Sequence, residues 1–131
     1  MLKKLGEIIL TVRNYDEALD FYVNKLGFKK VSDAKIGPGM RWVSVAPSEN
    51  NETVIVFEQA TTAADKARLG KQFTGMMLNI MTDDMDETYR TLKANGVEFV
   101  EEPSSAPWGK QAVIKDLYGN VFDLLEPRQR A

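Results

Sequence analysis

Apolar residues recur along this chain with two periods, and the alternation between them divides it into elements. Leu5 to Arg13 alternates with period two and predicts a strand. Asp16 to Leu26 carries Ala18, Leu19, Tyr22, Val23 and Leu26 at helical spacing, with Asn14 or Asp16 placed to cap its start and Gly27 to end it. Phe28 to Ala34, Arg41 to Ala46 and Thr53 to Gln59 read as three more strands, divided by Gly37-Pro38-Gly39 and by a polar turn from Pro47 to Glu52.

The second half repeats that order. Gly75 to Thr82 predicts a strand, Asp84 to Asn95 a helix capped by Asp83 or Asp84, and Val97 to Glu101 a strand. Pro103 to Pro107 reads as a loop, Gln111 to Lys115 as a strand, Asp116-Leu117-Tyr118-Gly119-Asn120 as a tight turn, and Val121 to Glu126 as the last strand. Setting Glu7 over Met77 also sets Asp16-Glu17 over Asp86-Glu87, so the halves read as a duplication. The expectation is one α+β domain, with module one over 1–60, module two over 75–131, and a polar, alanine-bearing connector over 61–74 holding a short helix through Ala63 to Leu69.

Composition narrows the chemistry more than the fold. With 131 residues, 44% hydrophobic and 27% charged, the chain has enough apolar material for one core. No apolar run approaches the roughly 18 residues of a membrane span and nothing resembles a secretory leader, so the cytoplasm is the expected location. A net charge of −2 with acids and bases interspersed leaves no footprint for nucleic acid. The sharper fact is that histidine and cysteine are both absent. That removes disulfides, thiolate zinc sites, serine triads built on histidine, and the iron triad of two histidines and one carboxylate.

Glu7-Ile8-Ile9-Leu10-Thr11-Val12 leading to Ala18-Leu19-Asp20-Phe21-Tyr22 and Lys25-Leu26-Gly27-Phe28 resembles the opening module of the vicinal oxygen chelate superfamily. That group includes glyoxalase I, bleomycin resistance proteins, extradiol dioxygenases and fosfomycin-modifying enzymes. Arg41 to Pro47, Thr82-Asp83-Asp84, Gly96-Val97-Glu98-Phe99 and Asp116 to Asn120 are similar to its glyoxalase-like branch, so the resemblance covers nearly the whole chain. It implies two tandem βαββ(β) modules forming a curved half-barrel mixed sheet around a central cavity, usually completed by a homodimer partner. In the enzymes of that group a divalent metal sits in the cavity and chelates two neighbouring oxygens of the substrate.

The resemblance also implies four ligand positions, on the first and last strands of each module: Glu7, Met77, Val56 or Glu58, and Asp123 with Glu126 as its register alternative. Glu7 reads either as a ligand or as a strand-start charge facing water. Met77 departs from the pattern, because a thioether is a poor partner for hard or borderline ions and suits a cavity wall better. Glu58 either points into the cavity or ends its strand in solvent. Asp123, among apolar neighbours, needs a partner or water to be tolerable, which favours a cavity role. An all-carboxylate set of Glu7, Glu58 and Asp123 suits magnesium, manganese or calcium better than the nickel, zinc or iron of many such enzymes.

Two functions follow from these residues. The first is a binding protein of the bleomycin-resistance kind, which takes a small organic ligand, holds no catalytic cofactor, and lines its cleft with Glu7, Trp42, Glu58, Met77, Trp108 and Asp123. Trp42 and Trp108 supply its stacking surfaces, with Trp108 on a loop over the cavity mouth. The alternative is a lyase or isomerase dependent on a divalent metal (manganese, magnesium or nickel), with Glu7, Glu58 and Asp123 as catalytic and metal-holding candidates. Arg41 offers itself to an anionic ligand, but strand alternation sends Arg41 and Trp42 to opposite faces, so at most one lines the cavity.

Overall fold

In the computed structural model, which describes residues 1–73 and 75–128 and only the backbone of Met77, the chain divides into two compact units, Met1–Gln72 and Phe73–Ala131. Residues 61–72 of the expected connector therefore fall in unit one. Unit one runs β1 (Glu7–Val12), α1 (Tyr15–Leu19), a π-helical segment (Asp20–Lys25), β2 (Lys29–Gly37), β3 (Met40–Ala46), β4 (Val54–Gln59) and α2 (Ala63–Arg68). Unit two runs β5 (Met76–Met81), α3 (Met85–Ala94), β6 (Glu98–Ala106), β7 (Gly109–Lys115) and β8 (Val121–Pro127). The sheets have the strand orders β1-β4-β3-β2 and β5-β8-β7-β6. In each, the first strand is parallel to the last and the other neighbours are antiparallel. Two halves with one topology are what a duplication predicts.

Each helix starts where a side chain satisfies its free amides. The Asn14 side chain accepts from the Asp16 and Glu17 N–H groups, and Asp84 from that of Glu87, so of the alternatives offered by the sequence these two are the caps. Thr62 and Asp65 form a reciprocal capping box on α2. The apolar stripe of the first helix differs from the expected one, since Phe21 joins Ala18, Tyr22 and Leu26 in the core while Leu19 and Val23 are only half-buried. The cause is the π segment, where the Leu26 N–H donates to the Phe21 carbonyl at 2.8 Å, five residues back. Wider turns bring Phe21 and Tyr22 inward together. Tyr22, fully buried, then meets Phe21, Phe28 and Phe57 with ring centroids 5.3, 5.7 and 5.4 Å away. Leu10, Val12, Val43, Val45 and Ile55 complete this helix-covered core, and in unit two Phe122, Leu124, Ala112 and Ile114 pack with Met85, Leu92 and Val97.

Two expected loops are strand. Pro103 to Ala106, expected in a loop, lies within β6. A proline is tolerated there because β6 is the outer strand of its sheet and its register slips between Glu101 and Ser104, so no ladder hydrogen bond is demanded of Pro103. Ala106 pairs with Gly109, leaving Pro107-Trp108 as a two-residue hairpin, and β2 likewise runs on to Gly37, which pairs with Met40. Gly109, at φ 142°, could carry no side chain: a Cβ would lie 2.1 Å from the Glu126 carbonyl oxygen on the adjoining strand.

The tight turn is held by one buried carboxylate. Asp116 Oδ1 accepts from the Tyr118 and Asn120 amides at 2.9 and 2.8 Å, and Oδ2 accepts from Asn120 Nδ2 at 2.8 Å. Gly119, at φ 95°, supplies the left-handed step that closes it. Replacing Asp116 with alanine leaves these donors without partners, and we expect a loss of about 3 kcal/mol in stability. By thermal denaturation that should appear as a fall of roughly 10 °C in melting temperature, with Asp116→Asn losing less; an unchanged melting curve would refute the assignment.

Candidate functional site

The helices cover one face of each sheet, and the sequence-derived candidates divide according to which face they occupy. In unit one Leu10, Val43 and Phe57 point into the helix-covered core, so strand alternation puts Glu7, Ile9 and Thr11, Trp42 and Ser44, and Val56 and Glu58 on the other, helix-free face. Its middle is closed by the buried side chains of Thr11, Ser44 and Val56, with the Ser44 hydroxyl 2.6 Å from that of Ser32. Around that floor Ile9 remains 55% and Trp42 40% exposed. A large aromatic and a branched aliphatic side chain left open to solvent beside a closed polar floor can receive an apolar molecule.

Arg41 lies on the opposite face, as alternation required. Its Nε and Nη2 donate to Asp33 at 3.2 and 2.8 Å, Nη1 donates to Asp16 at 3.0 Å, and the guanidinium lies 5.2 Å from the Tyr15 ring centroid. Those hydrogen bonds, Asp33's first, hold Arg41 firmly charged, and Arg41 in turn keeps Asp33 below the usual carboxylate range. Arg41 also lines a surface cleft of about 350 Å³ with Tyr15, Lys35, Pro38, Met40 and Gln59.

In unit two Asp123 occupies the helix-free face, in a cross-strand row with Asn79, Val113 and Glu101. Burial pushes its carboxyl above the usual range, and the neighbouring charge of Glu101 adds to the effect. Glu126 belongs to the other face: its carboxylate accepts from the Met85 N–H at 2.8 Å and steadies the start of α3, so of the two register alternatives it is Asp123 that lies on the helix-free face. Trp108 stands on the two-residue hairpin, 57% exposed, and its indole N–H donates to Gln111 at 2.9 Å. The Met77 side chain lies outside the described residues. Met81, 56% exposed, shares the face of Asn79 and Asp123 and was missed by the sequence reading, as was Ile9; the alternation that placed Glu7 and Asp123 would have found both.

The carboxylates do not fit a shared metal site. Glu7 is opposite Val54 and Glu58 opposite Thr11 in the same ladder, four positions apart and hence roughly 13 Å along the strand. Two side chains that far apart on one face do not meet on an ion with bonds of roughly 2.0 to 2.6 Å. Glu58 instead has the Arg68 guanidinium at 3.8 Å. Among the described residues no three acidic side chains converge on a point where an ion would sit, and no helix is long and apolar enough to cross a membrane.

Comparison with known proteins agrees with the fold. Residues 4–124 match the profile described as the Glyoxalase/Bleomycin resistance protein/Dioxygenase superfamily. An uncharacterized protein of Shewanella frigidimarina (strain NCIMB 400) is 37% identical over 128 residues, covering 96% of this chain and 95% of that protein. Among solved structures, UcmS2 is 30% identical over 96% of this chain and 99% of its own, with a TM-score of 0.84. TnmS3, described as an antibiotic binding protein from Streptomyces sp. CB03234, is 30% identical over 97% of this chain and 98% of its own, with a TM-score of 0.78.

The raised carboxyl of Asp123 makes a sign-specific prediction. A group held above its unfolded value of 3.8 favours the folded state while protonated and costs stability once ionised, so the cost is absent below about pH 3.8 and complete above the folded pKa. Asp123→Asn should therefore melt higher than wild type at pH 7, with the gain vanishing toward pH 3. A variant that melts lower at pH 7 would show that the carboxylate is structurally paired instead.

Proposed function

Because the chain belongs to the Glyoxalase/Bleomycin resistance protein/Dioxygenase superfamily, we propose that it is a cytoplasmic small-molecule binding protein of the antibiotic-binding kind, holding an organic ligand against the helix-free face of unit one. The observation that carries this reading is the exposure of Trp42 and Ile9 around the closed floor of Thr11, Ser44 and Val56. A face built to meet only water has no reason to hold an indole and an isoleucine open two strands apart on the same side, whereas a flat apolar molecule spanning the floor between them gains by covering both. The likeness to TnmS3 supports the same class of ligand. The competing reading, a metal-dependent lyase or isomerase, has no support from the separated positions of Glu7 and Glu58.

We further infer a homodimer, because the apolar side chains Val31, Ile36 and Met40 are each left exposed along the β2–β3 hairpin. Light scattering should give twice the mass of the chain; a monomer at micromolar concentration would remove that part. Binding itself is tested by calorimetric titration of flat aromatic antibiotics. Trp42→Ala should weaken the best of them by at least about tenfold without lowering the melting temperature appreciably. Failure of every compound to bind at millimolar concentration, or indifference to Trp42→Ala, would sink the reading.

A further inference from the structure

We propose that Glu58 and Trp42 form a subsite for a protonated nitrogen on the bound molecule, and that Arg68 is a built-in competitor for it. This rests on the binding reading above and adds a chemical class, an aromatic molecule bearing an organic cation. Continuing the β3–β4 register one place beyond Val43 opposite Phe57 sets Trp42 beside Glu58 on the helix-free face, and Thr11 flanks Glu58 on its other side. Neighbours across adjacent strands have Cβ atoms roughly 5 Å apart, so an indole face and a carboxylate stand within reach of one ligand atom. An ammonium or iminium nitrogen is the group that both attract. The basic residue of β3, Arg41, points to the other face and is held there by Asp33 and Asp16, so it does not oppose a cation at this position.

Arg68 completes the argument. Its guanidinium is 3.8 Å from Glu58 with both side chains about half exposed, a contact that is cheap to exchange. Its firmer partner is Asp65, to which it also hydrogen-bonds. Asp65 is fixed in turn by the Thr61 and Thr62 amides, each 3.2 Å from Oδ2, and these hold its carboxyl down at about 2. When a ligand cation takes Glu58, Arg68 therefore keeps a charged partner and nothing is stranded. The ligand replaces one weak ion pair with an ion pair plus an aromatic contact.

The test uses two probes of one shape: 9-aminoacridine, a cation at neutral pH, and acridone, which is neutral. Calorimetric titration of wild type should show the cation preferred by about tenfold. Glu58→Gln should bring the ratio close to one while acridone binds as before, and Arg68→Ala should raise cation affinity by about threefold with acridone unchanged. Ratios that are equal in wild type, Glu58→Gln and Arg68→Ala overturn the subsite and leave the binding reading standing. If wild type binds neither probe the subsite is likewise overturned, and the antibiotic titrations decide the binding reading separately.

Discussion

Each unit pairs its first strand in parallel with its last, and parallel neighbours cannot be joined by a tight turn. The chain instead leaves the first strand by a helix, crosses to the far edge, and returns through two hairpin-like steps to lie beside its start. Because β2 is antiparallel to β3 and β3 to β4, β2 runs the same way as β1, and β6 likewise as β5, so the helical stretches Tyr15–Lys25 and Met85–Ala94, each rising roughly 15 Å, carry the chain back along the strands before the next one begins. A helix of that length across a four-stranded sheet covers one face and leaves the other without a helix. The division of labour between faces follows from this, with aromatic packing on one side and open side chains for recognition on the other.

Charge is sorted by the same geometry. On the helix-covered side, or at its margin, ionic groups are tied into the structure: Arg41 to Asp33 and Asp16, Glu126 to the start of α3, and Asp116 to its own turn. On the helix-free side Asp123 carries a desolvation cost, and Glu58 faces the half-exposed Arg68 guanidinium at 3.8 Å. Groups whose electrostatic needs are met locally stabilise the fold, while those left underpaired retain the free energy to attract something else.

The elements were legible wherever one local rule applied. Alternation located the strands, capping side chains at Asn14 and Asp84 located two helix starts, and strand parity alone separated Arg41 from Trp42. Features that depend on partners distant in sequence were not legible. Pro103 looked like a loop residue because nothing nearby shows that its strand is an outer one. Phe21 fell outside the expected stripe because it is brought inward by a π turn beside Tyr22, whose ring packs against Phe28 and the distant Phe57. Of the candidate site, the residue types of Glu7, Glu58 and Asp123 were readable while the surroundings of Glu7 and Glu58 stayed open, and the separation of those two was not legible, since it depends on which residue of β1 sits against which residue of β4. Glu126 was mistaken for an alternative to Asp123 for the same reason, its partner Met85 lying 41 positions away.

One side chain at the end of unit one behaves like a fragment of backbone. Gln72 accepts from the Thr11 amide at 2.6 Å and donates to the Ile9 carbonyl at 3.2 Å, so its carboxamide sits on the outer rim of β1 as a single peptide group of another strand would. β1 ends its sheet, and an outer strand with free amides and carbonyls is a template on which a stray extended chain can grow. Over the stretch from Ile9 to Thr11 that template is already occupied, by a group too short to be extended. An extended chain approaching this outer strand would find two of the ladder hydrogen bonds it needs already taken, next to the exposed Ile9 side chain.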